Sequence, residues 1–238
     1  MPIASALKRA VLDILFPAQC LGCRREASFL CRRCSRALPK IAPGCIVCKK
    51  LTPARGQVIA GRTCRPCRKK SNIFAFFSPY LYENEIIRDL IHKLKYQRVH
   101  EIRTVLADLV IRSLDYFTVK IPAEGIMIPI PLYPSRERVR GFNQSALIAE
   151  ALCPTLGVGY RPDILRKIKK TAPQMGLSAE KRRTNLIGTF NFTDEAAIKD
   201  KTIILLDDVK TTGATLEEAA RVLRSAGARK IWAITVAH

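Results

Sequence analysis

Four Cys-x-x-Cys pairs constrain the first 67 residues of this chain more strongly than any other feature of the sequence. Two residues between the cysteines of a pair form a tight turn, so both thiolates can face one tetrahedral ion, and a second such turn completes a four-sulfur site. Eight ligands therefore predict two structural zinc ions, because no open coordination position is implied. The predicted ligands are Cys20, Cys23, Cys31, Cys34, Cys45, Cys48, Cys64 and Cys67.

This spacing leaves two alternatives open. A disulfide-rich mini-domain would use the same cysteines, although regular pairs in a reducing compartment favour a metal site. The ligands of the two zinc ions could also interleave along the chain. Sequential pairing, within 20–34 and within 45–67, closes shorter loops and is the arrangement that we expect.

The amino terminus departs from the pattern of a secretory signal. Its apolar run is interrupted by Asp13, and Gln19 stands before Cys20 where a cleavage site needs a small residue. Residues 3–15 are predicted to form a short amphipathic helix ended by Pro17. No stretch of the sequence reaches the roughly 18 to 20 consecutive apolar residues of a membrane span. We therefore expect a cytoplasmic protein, in which thiols stay reduced.

Positive charge is concentrated in the cysteine-rich segment. Residues 1–70 hold 16 Lys or Arg against two acidic residues, so most of the formal net charge of +21 lies there. Such asymmetry favours an anionic partner, with nucleic acid as the leading candidate, and the aromatic residues of "NIFAFFSPYLY" could stack on bases. The alternatives are a basic surface that aids solubility, and a strand that buries the face bearing Phe74 and Phe76.

The remainder of the chain alternates amphipathic helices with short aliphatic strands. Helical spacing predicts helices in "ENEIIRDLIHKLKYQ", "EIRTVLADLVIRSL", "NQSALIAEALC" and "TLEEAARVLRSAG". Buried aliphatic runs predict strands in "GIMIPIP", "KTIILLD" and "KIWAITVA". This order implies an α/β fold with a parallel sheet covered on both faces. We expect two domains: an N-terminal helix and double zinc ribbon at 1–72, and the α/β domain at 73–238.

The stretch "IILLDDVKTTGATL" predicts the functional site of the α/β domain. Its aliphatic residues form a buried strand, so Asp207 and Asp208 emerge at the carboxyl end, where such sheets bind ligands. Two carboxylates there suit the vicinal hydroxyls of a sugar. The following turn into a helix offers backbone amides and hydroxyls as a cradle for one phosphate. The residues of this predicted cradle are Thr211, Thr212, Gly213, Ala214 and Thr215.

This stretch resembles the phosphoribosyl diphosphate-binding motif of type I phosphoribosyltransferases, which has an aliphatic run, two acidic residues, a spacer and Thr-Thr-Gly. Lys210 stands where that family usually has an aliphatic residue, and it either contacts phosphate or points outward. With "IPIPLYPSRERVRGFNQSALIA", "TAPQMGLSAEKRRTNLIGTF" and the four cysteine pairs, the chain resembles the ComF family of competence-related proteins from about Cys20 to Ala237.

The resemblance implies a type I phosphoribosyltransferase fold, phosphoribosyl diphosphate with Mg²⁺ as ligand, and a cytosolic role in handling single-stranded DNA during natural transformation. It implies that Asp207 and Asp208 stabilise positive charge on the reacting sugar. It also places phosphate-binding cations in two loops, where Arg140 and Arg183 are the preferred candidates, and Arg183 lies in a segment that closes over the ligand in such enzymes.

Three functions remain open at this point. The favoured hypothesis is an enzyme that releases pyrophosphate from phosphoribosyl diphosphate with some acceptor. The second is a DNA-binding competence protein that senses the metabolite without turnover. The third is an adaptor whose zinc ribbons bind a partner such as a helicase, because the chain has no nucleotide-binding phosphate loop of its own.

Overall fold

A computed structural model describes residues 17–52, 59–170 and 186–238 of the chain. Two predictions concern residues outside these ranges: the amino-terminal helix at 3–15 and the closing segment that contains Arg183. Everything that follows concerns the described ranges.

The cysteine-rich segment consists mainly of turns. Helix α1 spans Arg32–Ala37, and a short 3-10 helix spans Arg65–Lys70. Each begins directly after a predicted zinc ligand, Cys31 or Cys64. Isolated antiparallel bridges close the remaining turns of this segment, as expected for compact knuckles rather than an extended domain core.

A parallel five-stranded sheet forms the centre of the α/β domain, in the order β1-β7-β6-β2-β3. Strands β4 and β5 form a separate antiparallel pair. The predicted parallel sheet is thereby confirmed. The strands are β1 (Ala75–Phe77), β2 (Ile126–Pro129), β3 (Gly159–Tyr160), β4 (Leu165–Lys167), β5 (Phe190–Phe192), β6 (Thr202–Val209) and β7 (Lys230–Ala237).

The helices of this domain confirm the four predicted from spacing and add a short one. Asn143 caps its helix, because its side chain accepts a hydrogen bond from the Ser145 N–H at 3.0 Å. The additional helix lies in the arginine-rich loop and ends at Gly141, whose φ is 88°. The helices are α2 (Glu85–Tyr96), α3 (Ile102–Tyr116), α4 (Pro134–Arg140), α5 (Gln144–Leu156) and α6 (Ala214–Ser225).

The sheet is buried on both faces, which explains its continuous aliphatic runs. Alternate side chains of β6 point to opposite sides, so Ile204 and Leu206 pack in the core that contains residues of α2, α3 and α5. Ile203 and Leu205 pack on the other side, in the core that contains residues of α6. The polar residues at the end of β6 therefore emerge from a strand that is fixed on both faces.

The strand near Phe74 differs from its predicted pattern. It is only three residues long, and Ala75, Phe76 and Phe77 are all buried rather than alternating. One neighbour is β7, and Gly61 of the cysteine-rich segment lies along the other side, where the Phe76 N–H donates to the Gly61 carbonyl at 2.9 Å. Phe76 and Phe77 are thus core residues and are not exposed for base stacking.

The cysteine-rich segment packs against the α/β domain. At its carboxyl end, the Glu217 carboxylate of α6 accepts from Ser71 Oγ at 2.7 Å, from the Asn72 N–H at 2.6 Å and from Asn72 Nδ2 at 2.7 Å. Glu217 lies in the first turn of α6, two residues after the last residue of the predicted phosphate cradle. The domain boundary at residue 72 stays a prediction, but the residues on either side of it are in close contact.

Candidate functional site

A cavity of about 390 Å³ opens at the carboxyl ends of β2 and β6. This is the edge at which parallel α/β sheets bind ligands. A larger open groove of about 1310 Å³ lies elsewhere, between the first cysteine cluster and helices α2 and α3, away from the strand ends. The charged and threonine side chains that line the smaller cavity are Lys95, Arg136, Arg140, Lys167, Asp207, Asp208, Lys210, Thr211 and Thr215.

Asp207 is the more accessible of the two aspartates. Its Oδ1 accepts a hydrogen bond from Ser145 Oγ at 2.9 Å and another from the Asp208 N–H at 2.9 Å. Burial, followed by the neighbouring charge of Asp208, raises the pKa of Asp207 to about 7. This carboxyl group can therefore exchange a proton near neutral pH.

Asp208 is buried and already paired. Its Oδ2 forms an ion pair with Lys95 Nζ, and its Oδ1 accepts from Gln144 Nε2 at 3.0 Å. Burial opposes ionisation of Asp208, but the Lys95 charge and these hydrogen bonds hold its pKa below the usual value. The two aspartates therefore have different environments, whereas the sequence suggests two equivalent acceptors.

The predicted phosphate cradle lies at the start of α6. Thr211 and Thr212 are exposed, and Gly213 has φ 83°, a conformation that favours glycine. Thr212 Oγ1 accepts from the Ala214 N–H at 3.4 Å. Thr211, Gly213 and Thr215 line the cavity, on the same edge as the two aspartates. The structure thus brings both aspartates and three of the five predicted cradle residues to one cavity, whereas Thr212 and Ala214 are not among the residues that line it.

The side chain of Lys210 points inward, which excludes the outward orientation that was one of its two predicted alternatives. It is only 8% exposed, and its Nζ lies 5.5 Å from the centroid of the Phe76 ring. Its Cε would lie 3.1 Å from a Cβ added at Gly213, so the lysine packs beneath the cradle. Burial, then the charge of Lys49, lowers the pKa of Lys210.

Arg140 lines the cavity and is held there by two contacts, while its contact with phosphate stays a prediction. Its guanidinium donates to Gln144 Oε1 and lies 5.5 Å from the centroid of the Tyr96 ring. Arg136, on the same helix, lines the cavity as well. Arg183, the other preferred arginine, lies outside the described residues, so its role stays a prediction.

Sequence reasoning did not assign a role to several residues of this site. Lys95 lies in an ordinary amphipathic helix, and Gln144 is the first residue of α5. Lys167 ends strand β4, and its pKa is lowered by burial and by Arg136. No motif marks Lys95 or Lys167 in the sequence, because their approach to Asp207 and Asp208 depends on how separate elements pack.

The eight paired cysteines form two clusters in sequential order, as expected. Within each cluster the four sulfur atoms lie within 4.8 Å of one another. Burial disfavours ionisation of Cys20 and Cys45, but hydrogen bonds from backbone N–H groups lower the pKa of each to about 6. Four cysteine sulfur atoms this close together form a donor set that fits a structural zinc ion. All nine cysteines are free of disulfide bonds, which is consistent with this assignment.

Cys153, the ninth cysteine, is a core residue. Its Sγ contacts Met127 Sδ at 3.6 Å, and burial raises its thiol pKa to about 11. A thiol with so high a pKa is a poor nucleophile near neutral pH. Cys153 therefore acts as a small buried apolar residue of the core.

Known proteins resemble this chain over nearly its whole length. The "Competence protein F" of Haemophilus influenzae is 30% identical over 228 residues, which cover 94% of this chain and 91% of that protein. The chain belongs to the ComF family. The "DNA utilization protein YhgH" of Salmonella typhi is 28% identical, covering 92% of this chain and 96% of the other, and the "Competence protein ComFC" of Streptococcus pneumoniae is 27% identical, covering 87% of each.

The model of the phosphoribosyl transferase domain matches residues 143–238 of this ComF-family chain. The matched region starts at the cap of α5 and includes β6, the cradle and β7. The predicted fold is thereby confirmed, with a phosphoribosyl transferase domain preceded by two four-cysteine clusters that are consistent with a double zinc ribbon. In the described ranges no helix is both long enough and apolar enough to cross a membrane.

Proposed function

We propose that the cavity binds phosphoribosyl diphosphate and that the protein uses it in handling single-stranded DNA. One observation carries the ligand assignment: Asp207 lies in the same cavity as Thr211, Gly213 and Thr215, at the start of a helix. A carboxylate is suited to ribose hydroxyls, and a helix amino terminus with hydroxyls is suited to the 5-phosphate.

The proposed reaction is displacement at the anomeric carbon of the ribose. The lone pair of an acceptor forms the new bond, the bond from that carbon to the diphosphate oxygen breaks, and its electron pair leaves with pyrophosphate. Positive charge develops on the sugar, where Asp207 would stabilise it, and negative charge grows on the leaving group, where Arg136, Arg140 and Lys167 would stabilise it. Arg183 is proposed to join these cations when the ligand is bound.

Magnesium would reach the site on the phosphates of the ligand. Among the described residues, the only groups of three or more metal-ligating side chains are the two cysteine clusters. The cavity itself offers two carboxylates, of which Asp208 is paired with Lys95. The proposed transfer therefore involves no Mg²⁺ ion held by protein side chains alone.

Zinc fits the cysteine clusters and would supply folding stability to a segment with little core of its own. The described segment reaches the α/β domain through the strand edge at Gly61 and through Glu217. The zinc ions are thus proposed to hold the basic segment in place beside the cavity. They take no part in the proposed transfer.

DNA handling is supported by charge and by the relatives' names, which refer to competence and to DNA utilization. The cysteine-rich segment presents exposed basic side chains on zinc-stabilised turns, an arrangement suited to phosphate backbones. We propose that this takes place in the cytoplasm, and that a partner such as a helicase supplies any motor activity. The exposed basic residues are Arg24, Arg25, Arg32, Arg33, Arg36, Lys49, Lys50, Arg65, Arg68, Lys69 and Lys70.

A second candidate is a metabolite sensor without turnover. The pairing of Asp208 with Lys95 favours it, since a carboxylate held by a lysine is less available to stabilise charge on the sugar. Pyrophosphate release from zinc-loaded protein, measured with bases, ammonia and single-stranded DNA as acceptors, separates the two. Turnover with any acceptor identifies the enzyme, and binding without turnover identifies the sensor.

DNA binding has a separate test. The affinity for single-stranded oligonucleotides is expected to fall steeply between low and high salt, because each phosphate contact releases a counterion. Replacement of Arg65, Arg68, Lys69 and Lys70 by Ser is expected to reduce both the affinity and the salt slope. If no binding is measurable even at low salt, direct DNA handling by this chain is refuted.

A further inference from the structure

An exposed tyrosine lies at the mouth of the candidate cavity. Tyr96, the last residue of α2, lines the cavity and is 63% exposed. Its ring centroid lies 4.6 Å from that of His92, and the Arg140 guanidinium lies 5.5 Å from it. These two contacts position the ring while most of the residue stays open to solvent. An aromatic ring held in this way is suited to stack against a planar group.

The short helix α4 continues this exposed surface. None of its residues is buried, and Val139 is 79% exposed. The Arg98 guanidinium, from the turn after α2, donates to the Val139 carbonyl at 3.1 Å and so joins α4 to the end of α2. This surface, the cavity rim, consists of Tyr96, Arg98, Arg136, Arg138, Val139 and Arg140.

The charge of the cavity rim favours an anionic partner. Among the described residues, no carboxylate forms an ion pair with any of its four arginines. Neighbouring like charges repel one another, and a bound polyanion relieves that repulsion. Arginines beside an exposed aromatic ring suit single-stranded nucleic acid, which offers both phosphates and bases. An acidic peptide would use the arginines alone and leave the ring without a partner.

We propose that the cavity rim binds single-stranded nucleic acid, with a base stacked on Tyr96 and neighbouring phosphates on Arg98 and Arg138. The inference rests on the proposed function, because it adds a second surface to the DNA handling assigned there to the cysteine-rich segment. Phe76 and Phe77 are buried and cannot stack on bases, whereas Tyr96 is accessible. A strand on the cavity rim passes the mouth of the cavity that is proposed to bind the sugar ligand.

Fluorescence anisotropy with two labelled strands of about ten nucleotides tests the stacking directly. One strand is oligothymidine, and the other has the same backbone and charge but abasic sugars throughout. We expect the zinc-loaded wild type to bind oligothymidine at least about fivefold more tightly, because a base stacked on an aromatic ring contributes at least that factor. Tyr96→Ala is expected to lose most of this preference, and Tyr96→Phe, which keeps the ring, is expected to retain it.

Two further variants separate the ring from the charges. Tyr116→Ala removes an exposed tyrosine of α3 that does not line the cavity, and it is expected to match the wild type. Arg138→Ser is expected to weaken binding of both strands by the same factor and to reduce the dependence of affinity on salt, because a phosphate contact is lost. Unchanged binding by Arg138→Ser would overturn that phosphate contact.

Failure of this inference is distinguishable from failure of the proposed function. If the wild type binds both strands equally, or if Tyr96→Ala keeps the wild-type preference, stacking on Tyr96 is overturned while DNA binding by the cysteine-rich segment stands. If neither strand binds at low salt, this inference and the proposed DNA handling are refuted together, and binding of the sugar ligand is measured independently.

Photocrosslinking of the wild type to a thiothymidine-containing strand needs no variant, so it remains decisive if Tyr96→Ala does not fold. Mass spectrometry is expected to find the crosslink in the peptide that contains Tyr96. Crosslinks confined to other peptides would overturn the proposal.

Discussion

Glu217 links the zinc-binding segment to the helix that begins at the phosphate cradle, and its replacement tests whether that link stabilises the fold. Its carboxylate accepts three hydrogen bonds from Ser71 and Asn72, at 2.6 to 2.7 Å. A hydrogen bond to a charged group contributes about 1.5 to 3 kcal/mol when well shielded. These partners are partly exposed, so we expect Glu217→Ala to lose about 2 kcal/mol in total, since water replaces part of each bond.

Urea unfolding of the zinc-loaded protein measures this loss, with Glu124→Ala as a control for removal of an exposed carboxylate. Glu124 pairs with Arg229 at 3.4 Å on the surface, so its removal is expected to cost less than about 0.5 kcal/mol. The cost of Glu217→Ala is expected to disappear when zinc is removed, because the Cys64 to Cys67 turn then no longer fixes Ser71. A loss below about 0.5 kcal/mol, or the same loss with and without zinc, would refute the coupling.

Three further predictions concern the backbone, pH and metal content. Gly61→Ala is expected to lower the free energy of unfolding by more than about 2 kcal/mol, because φ at Gly61 is 75° and the new Cβ would lie 2.1 Å from the Phe76 carbonyl oxygen. Gly141→Ala is the control, since φ there is 88° but no atom lies within 4 Å of the new Cβ. It is expected to cost about 1 kcal/mol in the same urea unfolding assay. The pKa of the Asp207 carboxyl is raised from 3.8 to about 7, so the folded state binds a proton more tightly than the unfolded state. The stability that this group contributes therefore falls as the pH rises from about 4 to about 7. Asp207→Asn is expected to flatten this pH dependence of the free energy of unfolding, and an unchanged profile would contradict the raised pKa. Cys67→Ala is expected to lower the zinc content from about two ions per chain to about one by mass spectrometry, and retention of two would show that the clusters do not each need four thiolates.

Local patterns predicted most of the α/β domain. Each helix of this domain that was recognised by its spacing is present, and the predicted runs that end at Asp207 and Ala237 correspond to the two longest strands of the sheet. Strands buried on both faces give continuous aliphatic runs, and helices buried on one face give apolar residues at helical spacing. The burial of these elements can therefore be recognised from their own sequences. The sequential cysteine clusters follow for a related reason, since short loops close locally.

Non-local packing was not predictable in the same way. The segment near Phe76 looked like a strand with one buried face, but Gly61 covers an edge and both faces are buried, which no alternation within the strand reveals. Lys95 is an ordinary polar residue of a helix in the sequence, and only the packing of α2 against the end of β6 brings it to Asp208. Charges that meet across separate elements leave no spacing signal.

The most direct test of the central claim is calorimetric titration of zinc-loaded wild-type protein and of Asp207→Ala with phosphoribosyl diphosphate. Asp115→Ala, which removes an exposed carboxylate from α3, serves as the control. The account predicts saturable binding at one site per chain for the wild type and the control, and at least about tenfold weaker binding for Asp207→Ala with its zinc content unchanged. No saturable wild-type binding, or equal binding by Asp207→Ala, would contradict it.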